Sequence, residues 1–534
     1  MFPAAWRASC ASQGAESLSP NRGISSVCCR RMRDKMSDGS PSKSGKKLFH
    51  SQWPKREPGS RLVGGCDPYH EPRFKFSKES SFFTIGSCFA RNIEEYLGRA
   101  GVRVATYELD FPNSELKANS RRNDLLVKYT PGSIHLEIAS AFGRVEPLPD
   151  ERYLVATDKN GGYHDVMLPF DYPAVTLERG VERRRQIRAL FGGIADVSVV
   201  VITLGLIEHW YDNELGIYIN SRPGPRVEKL YPGRFTFRQL DLEENRVLVE
   251  ASLDIIHEVN PSAHIILTTS PVPLGRTFTN DDVIVANAYS KSVLRVIAQE
   301  MAKKRSFVDY FPSYEIVTMS PPEMAWEQDL RHVRDTMVGD VMKKFFASYF
   351  VGDDAAEAED VTAAYLKAKT DLDAGRAEAA FTAFKGLESS FAEDRSFWLS
   401  YCLSAVEAKK AGDADRISLI LMEKNPGAWA DILRGRALAL GGDYPSALSF
   451  IRKARENPRT AIHASGWEML VGRDMGDAQV ELAGALSAAD AILSDQATAA
   501  KKRWVTKRMV SVLAAAGRKD KLNELKPFLP VEAV

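Results

Sequence analysis

A serine placed between a strand and a helix can act as a nucleophile, and the segment Thr84-Ile85-Gly86-Ser87-Cys88-Phe89-Ala90 sets Ser87 in that position. The apolar run ending at Gly86 reads as a strand and Cys88 opens an amphipathic stretch, so Ser87 falls where the carboxyl end of a sheet meets a helix start. Unpaired N–H groups there can stabilise a developing oxyanion. The position equally suits a plain helix N-cap, a role for which serine is favoured. Far along the chain, Asp329-Leu330-Arg331-His332 sets a carboxylate three residues from an imidazole. On a loop or first helical turn both side chains can face one side, so Asp329 can orient the His332 imidazole that deprotonates a serine. A local hydrogen-bonded pair is the plainer alternative. The chemistry open to the three residues together is nucleophilic attack on an acyl carbon.

Other residue types invite two readings each. Glu208 and His209 follow a buried strand and could contact substrate, or they are solvated or hydrogen-bonded structure. Cys88 could be a thiol nucleophile, but as a first helical residue it is expected to pack. Asn287, Ser290 and Lys291 share a helix whose Val283, Leu294 and Ile297 face the core, so they are expected to be solvated or to support the site from behind. Tyr163, His164 and Asp165 follow Gly161 and Gly162, which reads as turn structure or a pocket mouth. No Gly-rich phosphate loop, HExxH or paired-histidine pattern occurs, so neither a metal nor a cofactor is expected.

The elements that must position these residues form an α/β pattern. Over residues 81–86, 101–107, 196–204, 264–269 and 307–310 short apolar runs predict strands. The stretches 88–99, 247–258 and 283–303 predict the helices between them. Continuous apolar strands such as 196–204 suit a parallel sheet covered on both faces, and the expected fold is a three-layer α/β/α sandwich. After about residue 353 the composition turns to Ala, Leu, Lys and Glu. There Ala368, Gly375, Ala380, Phe384 and Leu387 recur as Gly435, Gly442, Ala447, Ile451 and Ala454, offset by 67 residues. That is close to two units of about 34, as in an α-helical repeat. Tyr444, Pro458, Gly517 and Leu522 extend the pattern.

Composition bounds the rest. The 534 residues are 44% hydrophobic and 26% charged, enough apolar material for more than one core. Expected divisions are a tail over 1–50, an α/β domain over 60–352 and a helical-repeat domain over 355–530. With 71 Lys plus Arg against 70 Asp plus Glu, no global field draws nucleic acid or anionic lipid, and no nucleic-acid partner is expected. No run approaches the roughly 18–20 apolar residues of a membrane span. The six cysteines lack CxxC spacing, which predicts a reducing, cytoplasmic setting. Residues 1–48 read as a solvated tail; Arg7, Arg22, Arg30, Arg31 and Arg33 would also suit an organellar targeting peptide, with Met36 as an alternative start.

The pentapeptide Gly86-Ser87-Cys88-Phe89-Ala90 resembles the signature of the GSCFA family, and Ser87 with Asp329-x-x-His332 resembles the first and last blocks of the SGNH, or GDSL-like, hydrolases. Thr203-Leu204-Gly205 with Glu208 and Trp210, residues 269–273, Asn287 with Ser290-Lys291, and residues 310–315 look like the same family, so the resemblance covers about 60–350. The tract 355–530 resembles tetratricopeptide repeats. The first resemblance implies Ser87 as nucleophile, His332 as general base and then acid, and Asp329 as its orienting group. It also implies an oxyanion hole from the serine's own N–H, a second-block glycine and a third-block asparagine. Here the strand ends Gly205-Leu206-Ile207-Glu208, with Ile207 where that asparagine would stand, and no glycine within 119–132 identifies itself as the second donor. Gly205 remains a donor candidate, and Glu208 and His209 substrate-binding candidates. The implied activity is a serine esterase working through an acyl-enzyme, with an O-acylated glycan (polysaccharide) as the expected substrate. The alternatives are an O-acyltransferase to a carbohydrate hydroxyl, and a non-catalytic binding protein whose repeats hold a protein partner.

Overall fold

The structure, a computed structural model, describes residues 49–528 apart from 56, 110, 118–122, 158–160, 393, 458–459 and 495–502. The expected tail over 1–48, its targeting alternative, the Met36 start and Pro458 lie outside the described residues. The strands in chain order are β1 (Phe82–Gly86), β2 (Leu154–Ala156), β3 (Tyr163–Asp165), β4 (Val199–Leu204), β5 (Glu208–Asp212), β6 (Ile217–Ile219), β7 (Phe235–Gln239), β8 (His264–Thr269) and β9 (Val308–Tyr310). A four-stranded sheet has the order β1-β4-β8-β9, and all its pairs are parallel.

Alternation along these strands fills two cores. Phe83, Ile85, Val200, Ile202, Leu204, Ile265 and Leu267 face one side, where helices Pro131–Ala141, Leu177–Gly192, Leu242–Val259 and Val283–Lys304 pack. Phe82, Val199, Val201 and Ile266 face the other, covered by Cys88–Arg99 and Asp335–Tyr349. The expected three-layer sandwich is therefore present. Each fully buried Val, Ile or Phe stabilises by about 1.5–3 kcal/mol, against about 0–1 for a surface ion pair, so these two faces hold the domain.

Two regions differ from the pattern. Residues 101–107 are not a strand: Val104 forms a single bridge to Phe82 and the chain then curls into the 3₁₀ turn Ala105–Glu108. That turn lets the Thr106 hydroxyl donate to the buried Glu94 carboxylate at 2.6 Å and sets the Tyr107 ring on Gly98, where a Cβ would lie 2.5 Å from it. Residues 208–239 add an antiparallel sheet of order β6-β5-β7 that the apolar runs did not signal.

From Gly352–Asp373 to Lys519–Leu525 every element is helical among the described residues until the short 3₁₀ turn Lys526–Phe528. The repeat spacing is realised in packing: a Cβ on Gly435 would lie 2.7 Å from Ile451 Cγ1 and 2.9 Å from the Ala447 carbonyl, so glycine lets the helices Ala428–Leu440 and Tyr444–Arg455 cross closely. Gly375 and Gly442, at φ +74° and +86°, make the equivalent left-handed turns. The Gly352–Asp373 helix also closes the sandwich, for Ala358 joins the core of the Cys88–Arg99 face. Arg99 donates from Nε to Asp394 at 2.6 Å and stacks 4.3 Å from the Tyr365 ring centre.

Candidate active site

At the carboxyl end of β1 the backbone turns sharply. Gly86 has φ +130°, and a Cβ there would stand 2.1 Å from the Thr203 carbonyl oxygen, so only glycine lets β1 lie against β4 at this point. Ser87 follows as the N-cap of the Cys88–Arg99 helix: its Oγ accepts the Phe89 N–H at 3.3 Å. The cap reading therefore holds for Ser87. The Ser87 N–H donates to the Thr203 carbonyl at 3.1 Å, so the expected first oxyanion donor is engaged by the sheet.

Gly205 leaves β4 beside the serine. A Cβ on it would lie 3.3 Å from Ser87 Cβ and 2.5 Å from the Tyr129 carbonyl oxygen. Among the described residues no acceptor takes the Gly205 N–H. Ile207, at the expected asparagine position, is fully buried in the sheet core, and its N–H donates to Ser290 Oγ at 3.2 Å. Gly132 is no second donor either, because its N–H goes to His209 Nε2 at 3.2 Å.

The substrate-binding candidates are tied into structure. Glu208 is buried and accepts the Thr277 hydroxyl at 2.7 Å and the Phe278 N–H at 3.1 Å, which fixes the loop after β8. His209 holds its Nδ1 2.8 Å from the Ile207 carbonyl. With Nε2 accepting from Gly132, Nδ1 carries the proton and the ring is neutral; burial pushes it down to about 4. Tyr163, His164 and Asp165 form β3, with Asp165 paired to the buried Arg184 at 3.1 Å. Lys291, which sequence patterning allowed to be solvated, is wholly buried and donates to the Gly205 carbonyl at 2.7 Å.

The Asp329–His332 turn has its own geometry. Leu330 sits in the left-handed region at φ 54°, so the turn closes on itself. Asp329 Oδ1 accepts the N–H groups of Arg331 and His332, both at 3.0 Å, and Oδ2 meets His332 Nδ1 at 2.5 Å. These donors hold the Asp329 carboxyl well below the usual carboxylate range, the His332 backbone bond contributing most. Both side chains are half exposed, at 59% for His332 and 49% for Asp329. No hydrogen bond joins His332 to Ser87 Oγ. The Arg331 side chain packs against the loop after β8, its Cζ 3.0 Å from a Cβ built on Gly275.

Tyr129 is a neighbour of the Gly205 loop that sequence reasoning missed. Burial raises its hydroxyl above the ordinary range; Cys88 adds to the rise and Arg331 opposes it. It therefore lies within electrostatic reach of the residue after Ser87 and of the residue before His332. Its carbonyl accepts the Leu206 N–H at 2.8 Å, which ties it to the Gly205 loop. No spacing rule marks such a residue; only the fold brings it there.

A parallel α/β/α sandwich that carries a serine on the first strand-to-helix turn, with a glycine N–H beside it, is hydrolase-like in architecture. Residues 81–345 match the model of the GSCFA family, and this part of the chain is a GSCFA-family domain. No curated protein matches the chain.

Proposed function

We propose that the GSCFA domain is a serine esterase of the SGNH type acting on carboxylic esters, with O-acyl groups on a glycan as substrate. Ser87 Oγ attacks the ester carbonyl carbon while His332 Nε2 takes its proton. The C–O bond to the alcohol then breaks, and His332 returns the proton to the leaving oxygen. Water attacks the acyl-Ser87 carbonyl, giving its proton to His332, and the acid leaves as the serine is restored. Asp329 holds Nδ1–H and leaves Nε2 as the acceptor; Gly205 N–H faces the oxyanion.

The observation that carries this reading is the doubly anchored Asp329: two backbone donors fix one oxygen, and the other fixes the imidazole tautomer. The turn must approach Ser87 when ester is bound, since catalytic hydrogen bonds tighten in the substrate complex. Transfer to a sugar hydroxyl is the same chemistry with that hydroxyl in place of water. The lack of a hydrogen bond between His332 and Ser87 favours a second reading, a binding protein whose helical repeats, of tetratricopeptide type, hold a protein partner. The sparse cysteines support a cytoplasmic setting. Incubation with p-nitrophenyl acetate and with O-acetylated polysaccharide tests the choice. An acetyl-Ser87 peptide and acetate release are expected; neither forming would leave the binding reading.

A further inference from the structure

Lys291 is a costly residue for its place. A buried ammonium normally pairs with a carboxylate, because leaving it unpaired in the interior is expensive. Lys128, also wholly buried, follows that rule, with Nζ 2.6 Å from Glu137. Lys291 does not: among the described residues no carboxylate pairs with it, and its hydrogen bond goes to the Gly205 carbonyl at 2.7 Å. Desolvation brings it down to about 7, the neighbouring Cys88 working against the shift.

What that bond holds is the loop next to Ser87. The peptide joining Gly205 to Leu206 is fixed at its oxygen by Lys291 and at its nitrogen by the Tyr129 carbonyl, 2.8 Å away. The next N–H, of Ile207, is fixed by Ser290, the neighbour of Lys291 on the same helix. Three bonds thus set the Gly205 α-carbon against Ser87 and keep its N–H free of protein acceptors. Ile207 has an aliphatic side chain with no donor to offer, and it is part of the core.

We propose that Lys291 is a positioning residue for the oxyanion hole, its Nζ–H···O=C bond to Gly205 holding the Gly205 N–H where charge develops on the ester oxygen. The inference rests on the esterase reading of Ser87. Without this tether the loop shifts, and a misplacement of about 1 Å in a catalytic group costs about 10²-fold in rate.

The test compares the full chain with Lys291→Met, which keeps the stem and removes the donor, and Lys291→Gln, which keeps a donor on a shorter stem. Measured are Ser87 phosphonylation by a fluorophosphonate and kcat and KM for an aryl ester. A wild type that is not labelled at Ser87 overturns the esterase reading whatever Lys291 does. With wild-type labelling present, a folded Lys291→Met should lose about 10²-fold in kcat and in labelling rate with little change in KM, and Lys291→Gln should regain part of the loss. A folded Lys291→Met with kcat within about twofold of wild type overturns the positioning role. Should Lys291→Met not fold, Lys291→Gln decides: a loss of about tenfold or more in kcat at unchanged KM supports the role, and a smaller loss overturns it.

Discussion

Replacing Gly205 by alanine sets one methyl group against two fixed neighbours. Its Cβ would lie 2.5 Å from the Tyr129 carbonyl oxygen and 3.3 Å from Ser87 Cβ. The first distance is well inside contact and involves backbone, so the loop rather than a flexible side chain must give way. Moving it stretches the bonds from Leu206 N–H to Tyr129 and from Lys291 to Gly205, at 2.8 and 2.7 Å. Overpacking of this kind costs about 1–3 kcal/mol, and each weakened hydrogen bond up to about 1, so a loss of about 2–4 kcal/mol is expected. Turnover should fall further than stability implies, by about 10²- to 10³-fold, because the donor beside the serine is displaced. Urea titration gives the first quantity and aryl-ester hydrolysis by the folded protein the second. A Gly205→Ala protein with wild-type midpoint and wild-type kcat would refute the packing of Gly205 between Tyr129 and Ser87.

Three further outcomes are expected. The folded-state pKa of Lys291, about 7, lies below its ordinary 10.5, so between those values the unfolded chain binds a proton that the folded one lacks, and stability rises with pH. Relative to Lys291→Met, wild type should gain roughly 2 kcal/mol between about pH 7 and 9 in urea titrations, and a constant gap would contradict the burial. Asp329→Asn should keep the melting temperature, because the pair is exposed, but lower turnover by up to about 10⁴-fold; unchanged turnover would remove Asp329 from the mechanism. Arg99→Met takes the guanidinium away from Asp394, which keeps its bonds from Ser396 and the Phe397 N–H, and should destabilise by about 1.5–3 kcal/mol; a neutral variant in the same titrations would show that the ion pair does not bind the helical region to the sandwich.

How far the sequence foretold this depends on whether a residue's role is local. The strand-turn-helix around Ser87 was legible because apolar run, glycine and amphipathic stretch are contiguous, and the helix was bounded at Cys88–Arg99 as expected. The repeat was legible because Gly435 and Ala447 carry the small size that close helix crossing demands. Residues 101–107 misled because the contacts that curl them, Thr106 to Glu94 and Tyr107 to Gly98, are tertiary. Glu208 and His209 looked like a polar strand end, whereas they open β5 and tie distant loops together. Lys291 stands three residues before Leu294, on the core side of its helix, so its burial was within reach of the spacing; its charge argued against it.

The esterase reading stands on Ser87 being an activated nucleophile. Fluorophosphonate labelling of the full chain, with the modified peptide identified by mass spectrometry, tests it most directly. A single adduct on Ser87 is expected, absent from a folded Ser87→Ala protein and slowed by Asp329→Asn. Equal labelling of wild type and Ser87→Ala, or no labelling of either, would contradict it.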